Sequence, residues 1–366
     1  MRVMIIGKFH AEAFGLHIAE TFEQMGHVVG RFDPSPGISG VSGRLSYRIG
    51  QVGRTLRNTA EAVPPLRRLL MRSLWNTAGS FKPDMVLVTH DYLWPEEVRE
   101  LKLLTGAVIV MWFPDAILNF GRGYFMNSAY DALFFKDPYI VERLRGILRS
   151  DVFFLPEGFN PDKHRVPPEK QDALPLEEFA CDICTAGNLY TYRVAFFRQL
   201  NGFDVQLWGN PPPLWMTLAG TGNMYRGKFL QNERKALAFR SAKIALNNLH
   251  PAEIWSLNCR AFEIAGVGAF QLVDWRPAIG GLFEVGKEIV CFRGMRDLRE
   301  KIEYYLARPE ERGAIARAGM ARAHDCHTYR HRITTLLETL EGRQRGYEMP
   351  QIRCRTVRKS ELACAS

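Results

Sequence analysis

Short apolar runs alternate with helical segments along most of the chain, and this alternation limits the fold more than any other feature of the sequence. Strands of a parallel sheet that is covered on both faces read as unbroken apolar runs. In the first half such runs span residues 2–6, 28–32, 83–88, 107–111, 132–135 and 152–155. In the second half they span residues 182–187, 205–208, 244–247, 269–273 and 289–292. The sequence therefore predicts an α/β protein with two doubly wound, Rossmann-like domains.

A polar, proline-containing stretch over residues 160–177 predicts the boundary between these domains. We expect a first domain over residues 1–165, a second over 175–330, and a last helix with a basic tail over 331–366. At 366 residues and 46% hydrophobic composition the chain can bury two ordinary cores. Its first apolar run is too short for a signal peptide, and no run approaches a membrane span. We therefore expect a cytoplasmic protein.

The seven cysteines are odd in number and scattered, which suits a reducing compartment. Cys181 and Cys184 have the spacing of a metal site, but no second cysteine pair or histidine pair completes it. Two structural cysteines on a strand are the favoured interpretation, and zinc or redox chemistry is the alternative.

The formal net charge of +9 is local. The segment from Arg44 to Arg72 contains seven arginines and a single acidic residue, Glu61. The tail over 342–366 contains six basic and two acidic residues. No nucleic-acid-binding motif accompanies them, so we expect no nucleic-acid partner. The strip from Arg44 to Arg72 lies on two predicted helices, near 44–60 and 65–79. It is either a solvated face above a leucine stripe that packs on the first sheet, an acceptor-phosphate site, or a peripheral membrane contact.

The last quarter of the chain carries the motif Asn258-x-Arg260-x-Phe262-Glu263-x-x-Gly266-x-Gly268. It predicts a helix, a glycine turn, a buried strand, and later a helix capped by Asp297. Such a helix start suits the ribose and phosphates of a nucleotide, because its amides attract an anion and a carboxylate takes the ribose hydroxyls. The alternative is an ordinary βα unit of a parallel sheet.

Together with the runs at 282–290, 304–312 and 327–332, this motif resembles the C-terminal domain of the CgeB-like (spore maturation protein type) glycosyltransferases, a branch of the GT-B superfamily. The resemblance spans residues 180–335 and is looser over 1–165. It implies two Rossmann-like domains facing across a cleft, with a C-terminal helix crossing back to the first domain. It also implies a metal-independent, hexosyltransferase-like enzyme without a cofactor. Its substrates would be a nucleotide-diphosphate sugar and a glycan, lipid-linked or protein acceptor.

Besides the helix start in the motif over 258–268, two further segments are predicted to bind the donor. The turn over residues 186–193 brings backbone close to the ligand and offers an arginine for the diphosphate. The strand over 243–250 ends in polar residues, and His250 there is as readily a satisfied loop histidine. The predicted donor residues are Gly187, Asn188, Arg193, Asn247, Asn258, Arg260, Glu263 and Gly266.

Two residues on the first domain are candidates for the base that accepts the acceptor's proton. His10 lies in the loop after the first strand, with His17 nearby, and Asp115 directly follows another strand. Asp115 ranks above Asp91, which also follows a strand, although either aspartate could simply cap a turn.

One departure from the GT-B pattern bears on mechanism. Many retaining enzymes of this class have a glutamate eight residues before the ribose-binding one. Trp255 stands at that position here, and the nearest carboxylate is Glu253. The sequence therefore does not assign a retaining or inverting reaction. It also leaves open a non-catalytic protein that binds sugar nucleotides on the same scaffold.

Overall fold

The computed structural model describes residues 1–34, 63–212, 215–342 and 346–349. Six parallel strands form the first sheet, in the order β2-β1-β3-β4-β5-β6. They are β1 (Arg2–Ile6), β2 (Val28–Phe32), β3 (Met85–Val88), β4 (Val108–Phe113), β5 (Ala132–Phe135) and β6 (Asp151–Phe154). Each corresponds to a predicted apolar run, which confirms the parallel α/β interpretation of this half.

Five parallel strands form the second sheet, in the order β11-β10-β9-β7-β8. They are β7 (Cys181–Ala186), β8 (Val205–Trp208), β9 (Ala242–Asn247), β10 (Gln271–Asp274) and β11 (Val290–Phe292). The chain leaves β7 toward β8 on one side, while β9 lies on its other side. The carboxyl ends of β7 and β9 therefore border a topological switch point, where open α/β sheets bind ligands.

Helices cover both sheets. On the first domain they are α1 (Phe14–Gln24), α2 (Pro64–Leu70), α3 (Arg72–Phe81), α4 (Pro95–Thr105) and α5 (Pro138–Leu144). On the second domain they are α6 (Thr191–Phe197), α7 (Asn232–Ser241), α8 (Cys259–Gly266), α9 (Ile279–Leu282), α10 (Gly294–Leu306) and α11 (Pro309–Cys326). No helix of the described segments has the length and apolar character required to cross a bilayer.

Two predicted helices differ from those observed. The predicted helix near 65–79 is broken at Met71 into α2 and α3, and the one near 44–60 lies outside the described residues. Asp297 does not cap α10, which begins one turn earlier. Its carboxylate instead accepts a hydrogen bond of 2.6 Å from the amide of Arg293, the residue before the helix.

The last helix, α12 (Tyr329–Leu340), packs on the first domain. Tyr329, Ile333 and Leu336 are buried in the same cluster as Val3 and Ile5 of β1. The predicted crossing of the C-terminal helix is therefore confirmed.

The two sheets also share a core. A single buried cluster runs from Met111 and Phe135 of the first sheet to Phe262 of α8 and Val273 of β10. The domains are thus packed against each other through apolar contacts as well as through the chain that connects them.

Candidate active site

Two arginines converge on the turn that follows β7. Gly187 has φ +138°, a conformation that favours glycine, and a Cβ there would collide with the guanidinium of Arg260. The same Cβ would lie 3.3 Å from Nη1 of Arg193. Arg193 belongs to the first turn of α6, and Arg260 to the first turn of α8. The turn, both helix starts and both cations therefore meet at the switch point.

The positive charge at this point is not balanced by a carboxylate of the described residues. No carboxylate of the described residues lies within 4.0 Å of either guanidinium. Arg193 is buried, its Nη1 donates a hydrogen bond of 2.7 Å to the Asn188 carbonyl, and its Nε has no acceptor among the described residues. Burial, and next the charge of Arg260, hold the pKa of Arg193 well below its ordinary value. Two cations without a counter-ion in the described part of the chain are suited to binding an anion.

Amide side chains hold the start of α8 against the end of β9. Asn247 is fully buried. Its Nδ2 donates hydrogen bonds of 3.0 Å to Oδ1 of Asn258 and of 3.2 Å to Oε1 of Gln271. Asn258 caps α8 by accepting a bond of 3.3 Å from the Ala261 amide. Nη1 of Arg260 donates a hydrogen bond of 3.3 Å to Oδ1 of Asn247. Asn247, which is held by Asn258, therefore orients Arg260, while the turn residue Asn188 is exposed.

Glu263 lies one turn further along α8, inside a buried charge network. Its Oε2 is 3.0 Å from Nζ of Lys235, and its Oε1 is 3.5 Å from Nε2 of His164. Both partners also contact Glu12, which follows β1 on the first domain; Nε2 of His164 lies 3.4 Å from its Oε1. Burial raises the pKa of Glu263, but Lys235 and His164 together lower it by a larger amount. The net pKa is therefore below its ordinary value, and the carboxylate is ionised. A role for Glu263 in ribose binding stays a prediction.

The same network has the side chains of a metal site but already contains a cation. Ligand atoms of Glu12, His164 and Glu263 lie within 4.8 Å of one another. The ammonium of Lys235 contacts both carboxylates and supplies the positive charge that a metal would bring. We therefore interpret the group as a buried ion-pair network.

Two other predicted residues lie away from the unpaired arginines. Gly266 ends α8, where a Cβ would collide with the ring of Phe159, so its position favours close packing of the interdomain connection. His17 is buried beside the network, with its ring centroid 5.2 Å from that of His164 and stacked at 5.8 Å on Tyr329. Burial lowers the pKa of His17 to about 4, which favours a neutral packing residue over an acceptor contact.

A second group of charges lies beyond the carboxyl ends of β3, β4 and β5. Lys136 is buried, with Nζ 2.9 Å from Oε1 of Glu253 and 3.2 Å from Oε2 of Glu157. Burial raises the pKa of Glu157 to about 7, although Lys136 opposes the rise. Burial lowers the pKa of His90, and the negative charge of Asp115 opposes this change. Asp115 is therefore close to several titratable groups facing the second domain.

Sequence reasoning missed most members of this group, although one signal was available. His90, Asp115 and Lys136 each follow the end of a buried strand by no more than two residues. Polar residues at these positions share one edge of a parallel sheet. Asp115 itself is partly exposed, and its Oδ1 accepts a bond of 2.8 Å from the next amide, that of Ala116.

The other candidates have simpler surroundings. His10 is exposed, with Nδ1 2.8 Å from the carbonyl of Ala11. Asp91 accepts bonds of 2.9 Å from the amides of Tyr124 and Phe125, so it caps a helical turn. Nδ1 of His250 accepts a bond of 3.1 Å from the Ala252 amide. Asp91 thus has the capping role, and His250 is a satisfied loop histidine.

Cys181 and Cys184 are buried, unpaired residues of β7. Burial raises the pKa of the Cys181 thiol to about 12, which opposes both metal binding and redox chemistry. The structural interpretation of this pair is favoured.

Only one of the four leucines of the predicted stripe, Leu74, is in the core. Leu66, Leu69 and Leu70 of α2 are 46%, 66% and 42% exposed, whereas Arg67 on the same helix is buried. Nε of Arg67 donates a hydrogen bond of 2.7 Å to Oε1 of Glu97. The alternative in which the stripe packs on the first sheet is therefore wrong for Leu66, Leu69 and Leu70, and only Leu74 of α3 packs in that core. Arg44, Arg48, Arg54 and Arg57 lie outside the described residues.

Comparisons with known proteins agree with this geometry. A family model described as glycosyl transferase-like matches residues 193–338, which include both unpaired arginines. No curated protein matches the chain. The fold is similar to sucrose-phosphate synthase from Thermosynechococcus elongatus (TM-score 0.65, 12% identity, covering 94% of this chain and 100% of that one). It is also similar to Anabaena HepE in complex with UDP and glucose (TM-score 0.60, 12% identity, 93% and 100% covered).

A third similar structure is the UDP-forming trehalose-phosphate synthase from Burkholderia vietnamiensis (TM-score 0.57, 13% identity, 93% and 97% covered). Two parallel sheets facing each other, together with these likenesses, define the fold as GT-B.

Proposed function

We propose that the protein is a CgeB-like glycosyltransferase that moves a sugar from a nucleotide-diphosphate sugar to an acceptor. The observation that carries this proposal is the pair of unpaired guanidiniums, Arg193 and Arg260, beside Gly187 at the switch point of the second sheet. A diphosphate is the anion that two adjacent arginines and a nearby helix start suit best.

The donor would lie across the carboxyl ends of β7 and β9. Arg193 and Arg260 would contact the diphosphate, Asn188 and the turn at Gly187 would line its other side, and Glu263 would take the ribose hydroxyls. Uridine diphosphate is the first nucleotide to test, because HepE has been solved with UDP and with UDP-glucose. The two guanidiniums would offset the charge of the leaving diphosphate, so we propose a reaction that needs neither a metal ion nor a cofactor.

The chemistry would take place between the two domains. The bond between the sugar's anomeric carbon and the diphosphate breaks, and a bond from that carbon to an acceptor hydroxyl oxygen forms. The hydroxyl proton passes to a base, and the nucleoside diphosphate leaves with the bonding electrons. Asp115 is the favoured base because it is partly exposed among charged groups that face the donor domain. His10 is the second candidate.

The acceptor would lie on the first domain, and the exposed face of α2 favours a lipid-linked one. Leu66, Leu69 and Leu70 together with the exposed Arg68 and Arg72 form a surface that is apolar and basic. Such a surface suits an anionic membrane, where each basic residue contributes about 1 kcal/mol. We therefore propose a cytoplasmic enzyme that binds peripherally to the inner membrane face.

A panel of nucleotides and nucleotide sugars tests the donor class. A ligand present at about a hundred times its dissociation constant adds about 2.7 kcal/mol to the unfolding free energy, which a thermal-shift assay detects. Release of nucleoside diphosphate from the stabilising sugar nucleotide would identify an enzyme. Stabilisation without any release, in the presence of glycan and lipid acceptors, would favour the non-catalytic sugar-nucleotide-binding alternative.

A further inference from the structure

The first domain binds the loop that leads into the donor helix. Asp137 directly follows Lys136, just beyond β5, and its side chain is buried against the second domain. Oδ2 of Asp137 accepts bonds of 3.0 Å from the Ile254 amide and 3.2 Å from the Trp255 amide. The same oxygen lies 3.1 Å from Oγ of Ser256. One carboxylate of the first domain therefore contacts three consecutive residues of the second domain.

Lys136 binds the residue at the start of this loop. Its ammonium is 2.9 Å from Oε1 of Glu253, and the other oxygen of Glu253 is 2.6 Å from the Ser256 hydroxyl. The side chains of Lys136 and Glu253 are only 3% and 8% exposed. Solvent therefore competes little for these bonds, and the loop over 253–256 is held at both ends.

The loop is directly connected to the unpaired arginines. Asn258, which caps α8, lies two residues after Ser256, and Arg260 lies two residues further on. Leu257, between the loop and the cap, is buried. A shift of the loop would therefore move the start of α8 and the guanidinium of Arg260 relative to Gly187.

We infer that Lys136 and Asp137 are positioning residues for donor binding. They act through the loop over 253–256 and make the diphosphate site of the second domain depend on contact with the first. This inference rests on the proposed function, since the anion at the two arginines is taken to be the donor's diphosphate. Neither residue contacts Arg193 or Arg260 in the described structure.

Asp137→Asn in the full chain tests the inference. An amide has one acceptor oxygen where the carboxylate has two, and its NH₂ group would face backbone amides that need an acceptor. We expect the dissociation constant of UDP, measured by calorimetry, to rise about tenfold or more. Hydrogen exchange should also become faster over residues 253–263.

Asp131→Asn is the matched control. Oδ2 of Asp131 accepts a bond of 2.7 Å from the Ile109 amide, and its Oδ1 pairs with Lys102 within the first domain. This variant also loses a carboxylate bound to backbone, but it does not touch the second domain. We expect UDP binding within about twofold of the parent chain, even though stability falls.

Two further variants keep the test decisive. If Asp137→Asn fails to fold, Ser256→Ala removes one of the same contacts, and we expect it to raise the dissociation constant of UDP several-fold. If UDP binds folded Asp137→Asn and Ser256→Ala as it binds the parent, the inference is overturned. Arg260→Ala distinguishes the positioning role from the proposed function. If Arg260→Ala loses UDP binding while Asp137→Asn binds UDP as the parent does, only the positioning role is contradicted. A parent chain that binds no nucleotide contradicts the proposed function and the inference together.

Discussion

The two unpaired arginines and the two buried lysines differ in how their charge is balanced. Lys136 and Lys235 are each in contact with two carboxylates, and all these groups lie between the domains. Arg193 and Arg260 are on the second domain alone and have no carboxylate partner among the described residues. A buried charge is costly unless it is compensated. The paired lysines are thus suited to holding the domains together, and the unpaired arginines to binding a ligand that brings the missing charge.

The largest expected effect is on stability and concerns Lys235. Lys235→Met leaves Glu12 and Glu263 buried without their cation, so we expect the free energy of unfolding to fall by about 3–5 kcal/mol. Urea denaturation measures it. Lys243→Met is the control, because Lys243 pairs with Asp182 while its side chain is 55% exposed, and it should cost at most about 1 kcal/mol. Equal, small losses in both variants would show that the network does not hold the domains.

A pH effect of similar size is expected from Glu157. Because the pKa of Glu157 rises from 4.5 to about 7 on folding, its protonated form is favoured in the folded chain. The stability that it contributes is complete below pH 4.5 and is lost as the pH rises through about 7. Glu157→Gln should therefore gain about 2–3 kcal/mol relative to the parent between pH 5 and 8. Parallel stability curves for the two proteins over this range would refute the shift.

The catalytic prediction concerns Asp115, whose surroundings contain both kinds of charge. If Asp115 is the base, Asp115→Asn lowers the turnover of the sugar nucleotide that the parent uses about a hundredfold or more and leaves UDP affinity nearly unchanged. His10→Ala is the parallel variant, since His10 is exposed and its Nδ1 lies against the neighbouring carbonyl of Ala11. A loss of turnover in His10→Ala alone would transfer the role to His10. Weaker UDP binding in both variants would indicate structural roles.

The smallest expected effect concerns the surface of α2. Leu66→Ser and Leu69→Ser should reduce co-sedimentation with anionic liposomes at low salt, because both leucines are exposed next to basic residues. Removing Arg68 or Arg72 should weaken binding by about 1 kcal/mol each and reduce its salt dependence. Equal, negligible binding of the parent to anionic and neutral liposomes would favour a protein or free-glycan acceptor.

The sequence predicts local structure well in this chain and long-range pairing poorly. Every strand was visible as an apolar run because parallel strands are buried on both faces. The partners of Lys235 were not visible, because Glu12 is 223 residues away and only the packing of two domains brings them together.

The sequence also did not decide which face of α2 is buried, for a different reason. Leucines at helical spacing look the same whether they face a core or the surface. Their exposure here follows from the buried contact between Arg67 and Glu97, which turns the helix so that its arginine faces inward.

The contrast between paired and unpaired cations is tested most directly by UDP binding to Arg193→Ala and Arg260→Ala, with Arg234→Ala as control. Arg234 is 54% exposed at its side chain and pairs with Glu178. Loss of a charge-assisted contact to the diphosphate should weaken binding by about 1.5–3 kcal/mol in each of the first two variants. Each of these variants loses a hydrogen bond but no ion pair among the described residues, so its melting temperature should fall little. Arg234→Ala should bind UDP as the parent does. Parental UDP affinity in both Arg193→Ala and Arg260→Ala would contradict the account.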